Sequence, residues 1–171
     1  MVALDKFIEK IGWLSEWSGK GISWVSVILV LTICYDVLMR YLFNAATNWS
    51  FTLSYMLGAC MFTMGQAFVH RINGHVRIDL LYSKFSPRKK LLLDFIFTLI
   101  FFFPVFGLLS WTFWFDFYQA FRVQEKAIHS TWYPLTWPYK LVIAMGLTLL
   151  FLQGVARFIQ ESRTLFQGRS I

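Results

Sequence analysis

The sequence predicts an all-α membrane protein: four transmembrane helices, an N-terminal amphipathic interfacial helix, and both termini cytoplasmic. Three observations carry this prediction. The 171-residue chain is 57% hydrophobic and 20% aromatic but only 15% charged, against roughly 25% charged in soluble domains. Its apolar residues gather into four runs, about 21–43, 49–69, 91–118 and 134–159, each near the ~20 residues that cross a hydrocarbon core. A large soluble helical core would need polar faces that these runs lack. Lastly, twelve of the 16 Lys and Arg residues fall in the first 20 residues, in the second loop or from Arg157 onward. The other four are Arg40, Arg122, Lys126 and Lys140, so the positive-inside rule places both termini and the second loop in the cytoplasm.

Residues 1–20 put Leu4, Phe7, Ile8, Ile11, Leu14 and Trp17 near one helical face, with Lys6, Glu9, Lys10 and Glu16 largely opposite. Such a helix is expected to lie in the cytoplasmic interface, with Trp13 and Trp17 at headgroup depth. Asp5, Glu9 and Glu16 interrupt any apolar core there, so a cleavable signal peptide is not expected. The first span, 21–43, closes with Asp36 and Arg40, four residues apart on one face and able to pair.

The second span, 49–69, opens at Trp49 and carries Gly58 and Gly65, seven apart. They share a face and would let another helix approach closely. No GxxxG spacing occurs in the chain. The third span, 91–118, is phenylalanine-rich around Pro104, a residue that kinks membrane helices while neighbours re-satisfy the freed carbonyl. Phenylalanines at every angular position point to lipid, and Trp111 and Trp114 suit a periplasmic aromatic belt. The following loop offers Arg122, Glu125, Lys126 and His129 as a candidate periplasmic docking surface or a plain connector. The fourth span, 134–159, leads into a cytoplasmic tail, 161–171.

A polar hexapeptide, Gly74-His75-Val76-Arg77-Ile78-Asp79, lies between two apolar runs. In a membrane protein it is a docking surface, a site or a solvated turn. Little else suggests chemistry. His70 and His75 fall on one side of the membrane and His129 on the other, which disfavours a bis-histidine haem site within the bilayer. No Walker motif, HExxH or glycine-rich phosphate loop is present. Cys34 and Cys60, both inside spans, read as packing residues. The net charge of +7 acts as a topology signal, with contact to anionic lipid second; nucleic-acid binding is not expected. The spans show no duplication and no mid-span charge of the kind a self-contained transporter uses. These features describe a non-enzymatic accessory membrane subunit without cofactor or metal.

Several motifs together resemble the small membrane subunit of tripartite ATP-independent periplasmic (TRAP) transporters, the DctQ-like family. They are Val37–Asn44 closing the first span, Trp49 opening the second, and Leu57-Gly58-Ala59. The hexapeptide with Leu80-Leu81 follows, then Ser130-Thr131 and Pro134-Leu135-Thr136-Trp137. The resemblance covers most of residues 20–160. It departs after Trp49, where Ser50, Thr52 and Ser54 stand in place of the acidic residues frequent in the family.

The resemblance implies a multi-pass protein of the bacterial inner membrane, paired with a large multi-span membrane subunit that carries the substrate and sodium sites. A periplasmic substrate-binding protein would deliver an organic acid, sialic acid before a C4-dicarboxylate. The small subunit would be a non-moving scaffold in contact with membrane lipid. Asp36, Arg40, Trp49, Gly58, Gly74, His75, Arg77 and Asp79 would then be structural or partner-contact residues, the hexapeptide acting as a clasp between two spans. Two alternatives remain open: a membrane anchor for a redox enzyme, and a small self-assembling proton-coupled carrier using Asp36.

Overall fold

A computed structural model describes residues 2–45, 47–72, 85–128 and 132–167. These residues build α1 (Val2–Leu42), α2 (Ser50–Arg71), α3 (Pro87–Phe97), a π-helical turn (Thr98–Phe102), α4 (Phe103–Arg122) and α5 (Trp137–Gln167). By length and apolarity, three stretches suffice to cross a membrane: Ile8–Leu42, Leu92–Arg122 and Trp137–Arg163. Helix α2 occupies the position of the second expected span with 22 residues, but Ser50, Thr52, Ser54, Thr63, Gln66 and His70 leave it less apolar.

The first correction concerns the N-terminus. The sequence reading ends an interfacial helix at residue 20, whereas α1 runs unbroken for 41 residues, about 60 Å at 1.5 Å per residue. Nothing in the sequence breaks it. No proline intervenes, and the hydroxyls of Ser18, Ser23 and Ser26 bond back to carbonyls three residues earlier. Gly19 is covered by the Phe68 ring, with the site of a β-carbon 2.7 Å from it. The expected apolar face also divides. Ile11 and Ser15 are buried, while Leu14 and Trp17 point outward.

Helix α5 organises the rest. It packs against α1, α2, α3 and α4, and half of its most apolar window is buried, against 6% for α1 and none for α3–α4. Small residues make this possible: Ala144 and Ala156 are almost wholly buried, and a β-carbon on Gly146 would stand 2.9 Å from the Thr63 backbone of α2. The glycines chosen from sequence do not do this. A β-carbon on Gly58 or Gly65 would meet nothing within 4 Å, so the close approach to α5 is made at Thr63 instead. Contacts fix the directions. The Tyr55–Tyr139 ring pair brings the starts of α2 and α5 together, and Ser15 meets Gln153, so α1 runs opposite to α5. Both described connections, α1–α2 and α4–α5, therefore lie at one end of the helices.

The π turn accommodates Pro104. Proline cannot donate to the carbonyl four residues back, and just before it the Phe103 N–H reaches the Thr98 carbonyl, five residues back. A π turn offsets the residues that follow it on the helix face. Phe102 projects onto Gly154, where a β-carbon would lie 2.0 Å from the ring. The phenylalanines are thereby divided rather than uniformly lipid-facing. Phe95 stacks on Phe158 of α5 at 4.4 Å and Phe103 meets the same ring edge-to-face at 5.2 Å, while Phe97, Phe101 and Phe115 are exposed.

Candidate functional site

Polar side chains collect at the two ends of the helices. At the connection end, Arg40 Nη2 donates to Asp36 Oδ2 at 2.7 Å, one turn away. The other carboxylate oxygen of Asp36 accepts from the Thr47 hydroxyl and, at 3.4 Å, from the Thr47 backbone N–H. Thr47 Oγ1 in turn lies 2.7 Å from Ser50 Oγ in the first turn of α2. Asp36 thus joins the end of α1 to the start of α2. Asn44 takes a left-handed backbone with φ 49°, which asparagine tolerates better than most residues, and Ala45 N–H reaches back to the Met39 carbonyl at 3.1 Å. Trp49 stacks on Tyr35 with ring centroids 5.7 Å apart.

Beside it, Lys140 in the first turn of α5 is buried at 8% exposure. Its ammonium donates to Glu125 Oε2 at 2.8 Å and Asp116 Oδ1 at 3.1 Å. A buried charge of this kind needs partners, and two carboxylates supply them. Glu125 is held by more than its side chain. Its backbone carbonyl accepts from the N–H and the hydroxyl of Thr136 at 2.9 and 3.2 Å. Ala127 N–H donates to the Pro134 carbonyl at 2.9 Å, and Lys126 and Leu135 form an antiparallel bridge. The α4–α5 loop is therefore a pinned turn. It presents Arg122, Val123, Lys126 and Ile128 outward, while the Glu125 carboxylate is spent on Lys140.

Midway along the helices, Trp114 Nε1–H donates to Thr148 Oγ1 at 2.9 Å, and Ser110 Oγ lies 3.1 Å from the same hydroxyl. Trp114, expected in an aromatic belt, thus gives its polar edge to α5, whereas Trp111 is 76% exposed.

At the opposite end, Ser15 Oγ donates to Gln153 Oε1 at 3.2 Å between buried side chains. Arg71 and Lys20 both bond Glu16, at 2.6 and 2.8 Å. A cleft of about 440 Å³ opens nearby, between the end of α2, the π turn and the far end of α5. Its lining is apolar at Phe97, Phe101, Phe102, Val105 and Phe106 and polar at His70, Asp94, Thr98, Arg157 and Glu161. Arg157 Nε–H donates to Glu161 Oε1 at 2.7 Å, and His70 stacks on Phe102 at 5.3 Å.

Of the residues singled out from sequence, Asp36, Arg40 and Trp49 are brought to one corner at the α1–α2 connection, and Arg122, Glu125 and Lys126 to the neighbouring loop. Gly58 lies apart from both on α2. Gly74, His75, Arg77, Asp79 and His129 fall outside the described residues. Sequence reasoning missed Lys140 with Asp116, the Ser15–Gln153 bond and the charged residues of the cleft. Only Arg157–Glu161, a spacing of four, carried a readable signal. Among the described residues no three His, Cys, Asp or Glu side chains gather to hold a metal ion.

The family model described as "Tripartite ATP-independent periplasmic transporters, DctQ component" matches residues 29–164. Comparison with curated proteins and with solved structures returned no match.

Proposed function

We propose, since the chain belongs to the DctQ family of TRAP transporter components, that it is the non-moving scaffold of an importer for an organic acid. The family match over residues 29–164 carries this reading. A large multi-span membrane subunit would hold the substrate and sodium sites. A periplasmic binding protein would deliver the substrate, an organic acid of the sialic acid or C4-dicarboxylate class, and a sodium gradient would drive uptake. The basic residues argue for cytoplasmic termini and a cytoplasmic second loop, which puts the α4–α5 loop in the periplasm. In that orientation α2 is the second of four spans, and the outward Trp13 and Trp17 lie at the cytoplasmic interface.

The packing supports a bracing role. Polar side chains within the helices bond one another, as in Ser15–Gln153 and the Ser110, Trp114 and Thr148 group. Meanwhile α1 and α4 turn broad apolar faces outward, area that suits lipid on one side and a large partner on the other. Gly74, His75, Arg77 and Asp79 are proposed to clasp the cytoplasmic ends of neighbouring helices. Neither a redox anchor nor a self-assembling carrier gains support from the comparisons.

The decisive experiment co-expresses this chain with a large multi-span TRAP membrane subunit and reconstitutes both in proteoliposomes. Sodium-dependent uptake with the binding protein should require both chains, and the isolated chain should bind no substrate. Saturable substrate binding by this chain alone would overturn the reading.

A further inference from the structure

The N-terminal part of α1 has an outward stripe that neither the packing nor the bracing role uses. At roughly 3.6 residues per turn, Lys6, Lys10, Trp13, Trp17, Lys20 and Trp24 fall within about 80° of one another around the helix. All six are exposed, the three indoles at 59%, 59% and 72%. The opposite side is committed to the other helices. Ile11 and Ser15 are buried, the Phe68 ring covers Gly19, and the Arg71 guanidinium lies over Gly12.

Depth orders this stripe. The Arg71–Glu16 bond at 2.6 Å sets residues 13–17 level with the end of α2, where the charge-free run 49–69 has crossed about 30 Å of hydrocarbon. Trp13 and Trp17 therefore stand at the membrane boundary, their ring centroids 5.7 Å apart, where amphipathic indoles settle. Lys10 and Lys6 follow one and two turns further out, about 5 and 10 Å beyond Trp13, among headgroups. On the hydrocarbon side Trp24, Val27 and Ile28 are exposed. Cation, indole and apolar side chain thus succeed one another as phosphate, ester and acyl chain do in a phospholipid. A protein partner would have no reason to follow depth in this way. Lys20 is already paired with Glu16 at 2.8 Å, whereas Lys6 and Lys10 form no ion pair among the described residues. Glu9 is exposed beside them, about 100° around the helix from Lys10, so an anion is met from the Lys10 side.

We infer that this stripe holds one anionic phospholipid of the adjoining leaflet: its phosphate on Lys6 and Lys10, its ester region against Trp13 and Trp17, and an acyl chain along Trp24 to Ile28. The lysine pair selects the headgroup. Choline and ethanolamine each bring their own cation towards the two ammonium groups, whereas a glycerol headgroup leaves the phosphate charge unopposed. The inference rests on α1 crossing the membrane and not on the transport reading.

The test is native mass spectrometry of the full chain in mild detergent, titrated separately with phosphatidylglycerol and phosphatidylcholine of matched acyl chains. The wild-type chain should retain phosphatidylglycerol at about tenfold lower lipid concentration, the effect of one to two basic residues near an anionic surface. Lys6→Gln combined with Lys10→Gln should bring the two lipids within about twofold of each other. Both lysines are exposed, so helical circular dichroism should not change. Lys89→Gln, which removes an exposed cation of α3 away from the stripe, should leave the preference intact. Equal retention of the two lipids by the wild-type chain would overturn the inference. So would a preference that survives the double lysine variant, and the stripe would then be assigned to a protein partner if co-purification with a large membrane subunit fell. An equal loss in Lys89→Gln would show general attraction to a basic surface and overturn the site as well.

Discussion

Lys140 and Glu125 are joined across a helix–loop boundary, Nζ to Oε2 at 2.8 Å, and that bond closes the α4–α5 turn onto the first turn of α5. Asp116 completes the group from α4. Both carboxylates are partly exposed, at 46% and 39%, so water screens much of the attraction.

Lys140→Met should therefore destabilise by about 2 kcal/mol, the scale of lost hydrogen bonds to a charged group. Glu125→Gln should lose about 1 kcal/mol or less, because Asp116 still faces the ammonium. Thermal unfolding in detergent reads both, and limited proteolysis should cut the α4–α5 loop sooner in the lysine variant. Identical melting of both variants and wild type would show that the group does not hold the loop.

Two glycines should respond in opposite ways. Gly146→Ala drives a methyl into the Thr63 backbone, which cannot swing aside as a side chain could. A loss of about 1–3 kcal/mol is expected from overpacking. Gly58→Ala enters open space and should be neutral or slightly stabilising within the isolated chain, since alanine is the better helix former by up to about 1 kcal/mol. A loss of partner co-purification in Gly58→Ala, with unchanged melting, would instead mark that position as a contact with the large subunit.

The Ser15–Gln153 bond offers a separable test. Ser15→Ala leaves the Gln153 acceptor buried without its donor, and about 1–3 kcal/mol should be lost. In the double variant Ser15→Ala, Gln153→Leu both polar partners are gone, and most of that loss should return. Additive losses would mean that the two residues act independently.

At the α1–α2 connection, Asp36→Ala and Thr47→Val should each destabilise by about 1 kcal/mol, since both break the bond from the Thr47 hydroxyl to the Asp36 carboxylate. Their double-mutant cycle should show a coupling of at least about 0.5 kcal/mol. No coupling would mean that the two side chains do not depend on each other.

The long apolar helices were legible because their signal is local. The 21–43, 91–118 and 134–159 runs overlap the apolar stretches Ile8–Leu42, Leu92–Arg122 and Trp137–Arg163 of the structure, differing by a few residues at their ends, and Trp49 stands immediately before α2. The Asp36–Arg40 pair was legible for the same reason, a spacing of four on one helix. The features that sequence did not yield depend on contacts distant along the chain. Lys140 meets Asp116 and Glu125 across 24 and 15 positions, and read as a lone charge it spoke only of topology. Gly146 matters because the Thr63 backbone lies over it, whereas Gly58 and Gly65 carry the same residue type and meet nothing. The interfacial helix expected over 1–20 and the first span are continuous in α1, because amphipathic character shifts near residue 20 while helix propensity does not. A change of environment along a helix need not interrupt it.

The dominance of α5 has a consequence for biogenesis. Chains fold from the N-terminus as they are made, and here α1 and α2 already pack together while α3 and α4 find their main partner in α5. As the ribosome works, the α1–α2 hairpin can pair at once. The phenylalanine-rich helix must wait in the bilayer with Phe95 and Phe103 lacking their partner ring until Phe158 emerges. Its capture comes at the end of synthesis, so a chain stopped before α5 would hold one finished hairpin and one untethered helix, a form that membrane quality control can recognise.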